Sequence, residues 1–254
     1  MADHFIEFRH VSKAFDDHAV LDEVSFHVDP GETCVILGRS GVGKSVTLKH
    51  ILGFLKPDAG EVWVGGQEIT GWDEQQLAAI RLRVAMVFQS GALFDSLTVR
   101  ENVAFPLENR ADLPAGVIDR RVNELLELLE VMPFADRLPA DLSTGMKRAV
   151  AIARVLAQEP EAILYDEPTT MVDPIMAGHI SELIRKLKES FRKTSIVVTH
   201  DTHLAQKLAD RVVFLQEGRV AFFGPWAQFE ASPEPLLRNF LLQDALIPAL
   251  DVTV

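Results

Sequence analysis

One stretch of this chain constrains its fold more than any other. Residues 38–45 read GRSGVGKS and directly follow the apolar run TCVIL, while the pattern after them, KSVTLKHILGFL, has helical spacing. The eight residues match GxxxxGK[ST], which requires a buried strand before it and a helix after it. Glycines let such a loop turn its backbone N–H groups toward phosphate oxygens, and the following helix adds its positive end. The stretch therefore predicts a strand–loop–helix unit that cradles phosphates.

A second stretch, AILYDEP at residues 162–168, supplies acidic groups suited to the same site. Lys44 would reach the terminal phosphates as a point charge, and the Ser45 hydroxyl would ligate Mg²⁺. Asp166 stands at the end of an apolar strand, where it would hold the metal. Glu167 follows it and would polarise a water for attack on the γ-phosphate. The two stretches together predict a nucleotide and Mg²⁺ as ligands and hydrolysis at the γ-phosphate as the reaction.

Composition excludes several other classes of protein. Cys34 is the only cysteine, so neither a disulfide framework nor a cysteine-based zinc site is expected, and the thiol is interpreted as a small buried hydrophobe. The formal net charge of −12 argues against a nucleic-acid partner held through its phosphates. No segment approaches about 18 consecutive apolar residues, so no span of a bilayer is expected. We expect a soluble, cytoplasmic chain, which would work at a membrane only by docking on something else.

The apolar patterns predict an α/β architecture. Residues 5–29 alternate like strands, and the runs VAMVF, AILYD, TSIVVTH, RVVFL and RVAFF also predict strands, several with helices between them. Such alternation is typical of a largely parallel sheet. Residues 96–160 show helical periodicity without a convincing strand. We therefore predict a P-loop core over 1–95 and 161–230, with an N-terminal antiparallel β portion, and a helical subdomain inserted at 96–160.

The carboxyl-terminal part, residues 231–254, is unusually apolar for a terminus. One interpretation is a last helix packed on its own domain, which would then extend over residues 1–242. The other is a docking segment for a partner chain. The residues that raise this question are Phe240, Leu241, Leu242, Leu246, Ile247 and Leu250.

The order of the motifs resembles a known family. LSTGMKR lies upstream of AILYDEP, and VVTH lies downstream of it. With the P-loop, this set is similar to the ATP-binding subunit of ABC transporters over almost the whole chain. That family works as a head-to-tail dimer that holds two ATP molecules between the P-loop of one subunit and the LSGGQ-type signature of the other. The resemblance therefore implies a homodimer docked on integral membrane permease subunits.

The resemblance also implies roles for individual residues. Gln89 would be the glutamine that senses the metal and the membrane subunit, and His200 the histidine that contacts the γ-phosphate. Phe15 would stack on adenine, and Asp173 would lie at the dimer seam. The expected catalytic residues are Lys44, Gln89, Glu167 and His200, and the expected metal ligands are Ser45, Gln89 and Asp166. The expected nucleotide-binding residues are Phe15, Gly38, Arg39, Ser40, Gly41, Val42, Gly43, Lys44, Ser45, Val46, Ser143, Thr144, Gly145 and Asp173.

Three positions depart from the family pattern. Thr144 replaces the first signature glycine and adds a β-branched side chain where the family keeps the backbone bare. Val46 follows Ser45 where a hydroxyl residue is common, which removes one α-phosphate contact. Met171 and Val172 replace the usual Gly-Leu before Asp173. Because the lysine, both acids, the glutamine and the histidine are present, we predict that hydrolysis is retained and that its rate is changed.

Longer stretches resemble one branch of the family. FQSGALFDSLTVRENVAFPL, GRSGVGKSVTLKHILGFLKPDAG and the later SPEPLLRNFL are similar to the ATPase of Mla-type, MCE-associated phospholipid transporters. This likeness implies a place on the cytoplasmic face of the inner membrane, under permease subunits and with an MCE lipid-carrier protein. Some members also bind a small STAS-like subunit on the helical region.

Other functions stay open at this point. The first is the ATPase of another ABC importer, for amino acids or metal ions, which has the same chemistry and a different permease. The second is a soluble ABC-type ATPase acting on DNA or the ribosome, which the absence of zinc-like cysteines and of a basic run disfavours. The third is a non-hydrolytic regulator, which Thr144 favours and Glu167 disfavours.

Overall fold

The computed structural model of the chain describes residues 4–16, 18–108 and 113–245. Its strands are β1 (Ile6–Phe15), β2 (His18–Val28), β3 (Thr33–Leu37), β4 (Ala59–Val64), β5 (Gln67–Glu68), β6 (Val84–Val87), β7 (Ala162–Asp166), β8 (Thr194–Thr199), β9 (Arg211–Gln216) and β10 (Arg219–Pro225). Its α-helices are α1 (Lys44–Ile51), α2 (Glu74–Arg83), α3 (Val99–Glu108), α4 (Ala115–Leu128), α5 (Thr144–Ala157), α6 (Pro174–Phe191), α7 (Thr202–Leu208), α8 (Trp226–Glu230) and α9 (Pro235–Ala245).

The strands form two sheets within these ranges. One is antiparallel, in the order β2-β1-β4-β5. The other has the order β10-β9-β3-β8-β7-β6, and its strands are parallel except for β10, which runs antiparallel to β9 at the edge. Parallel neighbours need crossover connections, and here helices provide them. The predicted fold class, a mainly parallel P-loop core with an antiparallel β portion near the amino terminus, is confirmed.

The six-stranded sheet is buried on both faces, which explains its continuous apolar strands. In β3, every residue of TCVIL is buried. Cys34 and Ile36 belong to the hydrophobic core that faces the antiparallel sheet, while Val35 and Leu37 belong to the core on the opposite face. Burial also raises the pKa of the Cys34 thiol, as expected of a small hydrophobe without redox chemistry.

The helical segment forms one core with the sheet. It lies in the chain between β6 and β7, which are adjacent parallel strands. Val122 and Leu125 of α4 and Ile152 of α5 are in the same hydrophobic cluster as Val35 and Tyr165 of the sheet. Movement of these helices against the sheet would therefore have to preserve a shared apolar contact. The predicted boundaries of the helical subdomain remain a prediction.

Several short elements were not predicted. They are β5, α7 and α8, which have two, seven and five residues. Elements of this length carry too few residues for a periodic signal to develop. In the carboxyl-terminal part, α9 packs on its own domain, with Leu237 only 2% exposed. Leu246, Ile247 and Leu250 lie outside the described residues, so the docking interpretation of the final residues stays a prediction.

The predicted cap at Asp73 forms a complete capping box. Its side chain accepts a hydrogen bond from the backbone N of Gln76 (2.9 Å), and the Gln76 side-chain oxygen accepts one from the backbone N of Asp73 (3.0 Å). Both donors would otherwise lack an intrahelical partner. The box fixes the start of α2.

Replacement of this cap should measurably destabilise the fold. We expect Asp73→Ala to lower the free energy of unfolding by about 1 kcal/mol, since a lost N-cap side chain costs roughly that amount. Chemical denaturation measures the change. Gln75→Ala, at an exposed position of the same helical turn, is the matched control and should stay within about 0.5 kcal/mol of the parent. An Asp73→Ala chain as stable as this control would contradict the assignment.

Candidate active site

The P-loop connects the carboxyl end of β3 to α1, as predicted. Its glycines have positive φ angles: 155° at Gly38, 81° at Gly41 and 106° at Gly43. A Cβ atom at Gly38 would lie 2.6 Å from the carbonyl oxygen of Leu215, and one at Gly43 would lie 2.8 Å from that of Val20. Conformation and space therefore both require glycine at these two positions.

The Lys44 side chain folds over the P-loop and binds backbone carbonyls at its start. Only 5% of it is exposed, and its Nζ donates hydrogen bonds to the carbonyl oxygens of Gly38 (2.8 Å) and Arg39 (3.1 Å). The same Nζ lies 3.3 Å from Oε1 of Glu167. A buried ammonium needs such compensation. The arrangement places a positive charge in a curved loop of backbone, which fits a bound phosphate chain.

Ser45 and Asp166 form a pair of hard oxygen donors. Asp166 ends β7, and its Oδ1 accepts a hydrogen bond of 2.8 Å from the Ser45 hydroxyl. Burial and the neighbouring charge of Glu167 raise the pKa of Asp166, while the Ser45 bond and Lys44 oppose that rise. The hydroxyl and the carboxylate both offer oxygen ligands, which Mg²⁺ prefers. A bound cation would also favour the ionised form of Asp166. These two residues fit the predicted metal.

Glu167 has an unusual backbone and well-defined side-chain partners. Its φ is 46°, and its backbone N donates to the carbonyl of Val198 in β8 at 2.9 Å. Its Oε2 lies 2.9 Å from His200 Nδ1 and accepts a hydrogen bond of 2.9 Å from the Thr170 hydroxyl. Burial acts to raise the pKa of Glu167, but the His200 bond and the charge of Lys44 outweigh it, so the pKa is lowered. The carboxylate is therefore ionised at neutral pH, as a general base must be.

Lys44, Ser45, Glu167 and His200 line one cleft of about 680 Å³, and Asp166 lies behind Ser45 without lining it. The cleft brings together the predicted Lys44, Ser45, Gln89, Glu167 and His200. Gln89 is exposed in the turn after β6. Three further residues there, Val20, Thr170 and Phe240, were not predicted as site residues. The lining residues are Val20, Arg39, Ser40, Gly41, Gly43, Lys44, Ser45, Val46, Gln89, Glu167, Thr170, His200 and Phe240.

Phe15 does not line this cleft. It ends β1, its side chain is 41% exposed, and the Lys13 ammonium lies 5.5 Å from the centre of its ring. An aromatic ring so exposed has room to stack on a base, but it makes no contact that would fix it there. Adenine stacking by Phe15 remains a prediction.

The signature residues and Asp173 also lie outside the cleft of their own chain, at the starts of two helices. The Ser143 hydroxyl caps α5 by accepting from the backbone N of Met146 (3.3 Å), and Asp173 caps α6 by accepting from that of Met176 (3.0 Å). Thr144 is exposed in the first turn of α5. Each residue thus has a role in helix capping or helix start within one chain. Contact with a partner's nucleotide remains a prediction.

Gly145 has a packing role that the sequence did not reveal. A Cβ atom at this position would lie 2.6 Å from Cε, 3.0 Å from Cβ and 3.2 Å from Cγ of Met176. The glycine therefore allows α5 to pack closely against the first turn of α6. This contact connects the signature helix directly to the segment that begins at Asp173.

Two arginines of α5 hold the segment that carries Gln89. Arg148 is 2% exposed, and its Nη1 donates to the carbonyl of Phe88, while Arg154 Nη2 donates to the carbonyls of Gly91 (3.3 Å) and Ala92 (2.8 Å). Burial lowers the pKa of both guanidinium groups. The only signal in the sequence is a pair of arginines in an otherwise apolar part of the helix, RAVAIARVLA at residues 148–157. These bonds couple α5 to the turn after β6.

A second large concavity, of about 730 Å³, lies on the side of the molecule formed by α2, β6, α3 and α5. We call it the apolar groove. Large hydrophobic side chains line it and are unusually exposed, including Leu82 (68% exposed) and Phe54 (49%). Its other aromatic residues are Phe88, Phe94 and Phe105. Exposed apolar surface of this kind marks a binding site.

The described helices include none that is both long and apolar enough to cross a bilayer. The family described as ABC transporter matches residues 21–170 of the chain. The chain belongs to the ABC transporter family. The resemblance stated from the motifs is confirmed.

Individual relatives place the chain within this family. It is 35% identical to the intermembrane phospholipid transport system ATP-binding protein MlaF of Escherichia coli strain K12, over 96% of this chain and 91% of that protein. It is 38% identical to the methionine import ATP-binding protein MetN of Brucella abortus strain 2308, over 96% of this chain and 66% of MetN. Among solved structures it is similar to a dimeric post-hydrolysis state of the ATP-binding cassette MJ0796 bound to ADP and Pi. That similarity has a TM-score of 0.79 and 34% identity, and covers 87% of this chain and 98% of that one.

These likenesses settle the reaction class. The chain is an ATPase of the ABC transporter family, and ATP is its substrate. The predicted ATP hydrolysis is confirmed at this level. The individual roles of the cleft residues rest on the geometry given above.

The close packing at Gly145 gives a specific prediction. Gly145→Ala should lower the free energy of unfolding by about 1–3 kcal/mol, because the added methyl group overpacks the contact with Met176. Met176→Ala on the same chain removes Cγ and Cε, so Gly145→Ala should cost less in the Met176→Ala background than in the parent. Denaturation of the parent, both single variants and the double variant measures the coupling. Additive effects of the two substitutions would contradict the direct contact.

Proposed function

We propose that this chain hydrolyses MgATP in the cleft at the P-loop to power a membrane transporter that moves phospholipid between membranes. The carrying observation for the chemistry is the buried Lys44–Glu167 pair, with the more exposed His200 on the carboxylate, beside the Ser45–Asp166 pair. The support for the cargo is the likeness to MlaF over nearly the whole of both chains, together with the stretches that resemble Mla-type ATPases.

Substrate binding uses groups that the loop already presents. The backbone N–H groups of the P-loop and the start of α1 would receive the phosphates. Lys44 would exchange the carbonyls of Gly38 and Arg39 for phosphate oxygens as partners. Ser45 and Asp166 would hold Mg²⁺, with Gln89 at the edge of the cleft as a further oxygen donor. When bound, the ion supplies positive charge against the phosphate oxygens.

Hydrolysis would use Glu167 as the base. Water attacks the γ-phosphorus, the bond to the bridging oxygen breaks, and ADP and phosphate form. The proton lost by the water goes to the Glu167 carboxylate. His200 and the Thr170 hydroxyl orient that carboxylate through the bonds described above, and they favour its ionised form. The ionised Glu167 beside Lys44 is the observation that favours hydrolysis over a non-hydrolytic regulatory role.

Two copies of the chain would act together. The capped starts of α5 and α6 present Ser143, Thr144 and Asp173 to solvent, where a second copy could meet them. Beside them, Met171 is 83% exposed and Ile175 is 74% exposed, although both are apolar. Such exposure is unusual for large apolar side chains and suits a surface that a partner covers. The dimeric state of the MJ0796 cassette supports this arrangement.

The apolar groove would receive the permease. Its exposed Leu82 and Phe54 form a concave apolar surface, and its wall includes Phe88, next to Gln89. An amphipathic helix that laid its apolar face in the groove would bury these side chains. Through the bonds from Arg148 and Arg154, the groove wall is connected to α5. Movement at the nucleotide would in this way reach the membrane subunit.

An amino acid or another small solute is a second possible cargo, which the capture experiment below also tests. The likeness to MetN supports the ATPase of an importer for an amino acid or another small solute. The ATPase chemistry would be identical, and the permease would differ. Neither an MCE lipid-carrier nor a STAS-like subunit is required in that case.

The role of Glu167 has a direct test. Glu167→Gln should lower the rate of ATP hydrolysis by at least about 10²-fold, because the amide cannot accept the proton, while ATP binding is retained. An ATP-bound dimer should then accumulate, which light scattering after size-exclusion chromatography would detect. Glu127→Gln, at an exposed position on α4, is the matched control and should hydrolyse ATP normally. Unchanged turnover in Glu167→Gln would remove Glu167 as the base.

Partner capture tests the cargo and the groove. The parent chain, purified from detergent-solubilised membranes of its own host, should carry permease subunits, an MCE protein and phospholipid. Leu82→Asp should lose all three, because it places a charge in the apolar groove, while still binding ATP. Val117→Asp, which is also exposed (43% in the parent) but lies on α4 outside the groove, should keep them.

The remaining outcomes of that capture are equally informative. A periplasmic solute-binding protein with its permease would establish the importer and reject phospholipid as the cargo. Recovery of no membrane partner by the parent chain would reject the transporter assignment for this chain. Retention of the permease by Leu82→Asp would reject the groove as its docking site.

A further inference from the structure

We propose that Phe240 of the carboxyl-terminal helix is part of the ATP site, where its ring forms an apolar wall beside the P-loop and strengthens nucleotide binding. The inference rests on ATP occupying the cleft described above. It adds a residue far from every nucleotide motif in the sequence, and it makes α9 a component of the site.

The position of Phe240 is the first observation. Its ring lines the same cleft as Arg39 and Ser40 of the P-loop and Glu167 and His200 of the catalytic group. Within the described lining it is the one apolar aromatic side chain, since Phe15 is not among the lining residues. The residue is half-buried, so it keeps some exposed surface while it lines the cleft.

The attachment of Phe240 is the second observation. Its ring centre lies 4.8 Å from that of Phe214 in β9, with an angle of 62° between the ring planes, which is a favourable edge-to-face contact. The next residue of β9, Leu215, supplies the carbonyl that excludes a side chain at Gly38. Phe240 is therefore anchored to the strand against which the P-loop begins.

The helix around Phe240 is firmly held. Leu237, one turn earlier in α9, is 2% exposed. The ring of Phe229 in α8 is fully buried and lies 5.8 Å from that of Phe214, so α8 and α9 pack on the same strand. Leu242, in the same helix, is 57% exposed and does not line the cleft. The chain thus offers one apolar residue of α9 that faces the site and one that faces solvent.

The physical effect follows from the groups that Phe240 adjoins. The P-loop attracts phosphate through N–H dipoles and the Lys44 charge, and these interactions weaken where water screens them. An aromatic ring at the edge of the loop excludes water from one side of the cleft. Burial of its exposed surface against a bound nucleotide would add to the binding free energy. Displacement of α9 would remove both effects, so whatever binds the carboxyl-terminal residues would change ATP affinity.

Nucleotide titration of the full-length chain tests this proposal. Phe240→Ala should raise the dissociation constant for ATP about tenfold, as expected for the loss of part of an aromatic contact. Phe240→Leu, which keeps an apolar side chain, should stay within about threefold of the parent. Leu242→Ala is the matched control from the same helix and should bind ATP as the parent does.

Thermal unfolding separates this role from a purely structural one. If Phe240 only stabilised α9, Phe240→Ala would unfold at a lower temperature, but ATP would raise that temperature as much as it does in the parent. A site residue instead reduces the rise that a fixed ATP concentration produces. Equal ATP affinity in Phe240→Ala and Leu242→Ala would overturn the proposal.

Lys44→Ala distinguishes failure of this inference from failure of the site itself. Loss of ATP binding in Lys44→Ala, with normal binding in Phe240→Ala, would reject only the role of α9. Normal ATP binding in Lys44→Ala would reject the cleft as the nucleotide site, and the role of Phe240 with it.

Discussion

The contact between Lys44 and Glu167 is the interaction on which the site depends. The two side chains are only 5% and 12% exposed, and their charged atoms lie 3.3 Å apart. Burial of two charges costs more than one ion pair returns, so further partners are required. The carbonyls of Gly38 and Arg39 supply them for the ammonium, and His200 and Thr170 supply them for the carboxylate. Both charges therefore have partners within the chain, and each could exchange one of them for a phosphate oxygen or a water.

Strand register brings these groups together. Leu37 at the end of β3 pairs with Thr199 in β8, and Asp166 at the end of β7 pairs with Val198. The three strands thus end at one level, and the residues that follow them meet at one edge of the sheet. That register holds because both faces of the sheet are buried, and a shift by one residue would turn apolar side chains toward the wrong core. The chemistry at the edge depends in this way on packing throughout the sheet.

The motif residues that the sequence predicted are positioned locally, whereas Phe240 and the arginines of α5, which it missed, depend on contacts between distant segments. Lys44 and Ser45 adjoin the strand and helix that position them, and Asp166 and Glu167 end a strand whose pattern is unmistakable. Phe240 reaches the cleft only because α9 packs on β9, a contact between segments with no shared pattern. The arginines of α5 present the same difficulty, since a buried guanidinium is recognisable only after the carbonyls that it binds are in place.

The structure gives different roles to the two positions where the family signature has glycine, which are Thr144 and Gly145 here. Thr144 stands where the family pattern has glycine, but it is exposed in the first turn of α5 and its φ is not positive, so the fold itself requires no glycine there. Gly145 is the reverse case, since Met176 leaves no room for a side chain. The threonine therefore brings no left-handed backbone strain to the isolated chain, and its exposed side chain faces what approaches from outside. In the proposed dimer that is the partner's nucleotide, so the altered signature acts on the rate of a shared step and leaves the fold of either subunit unchanged.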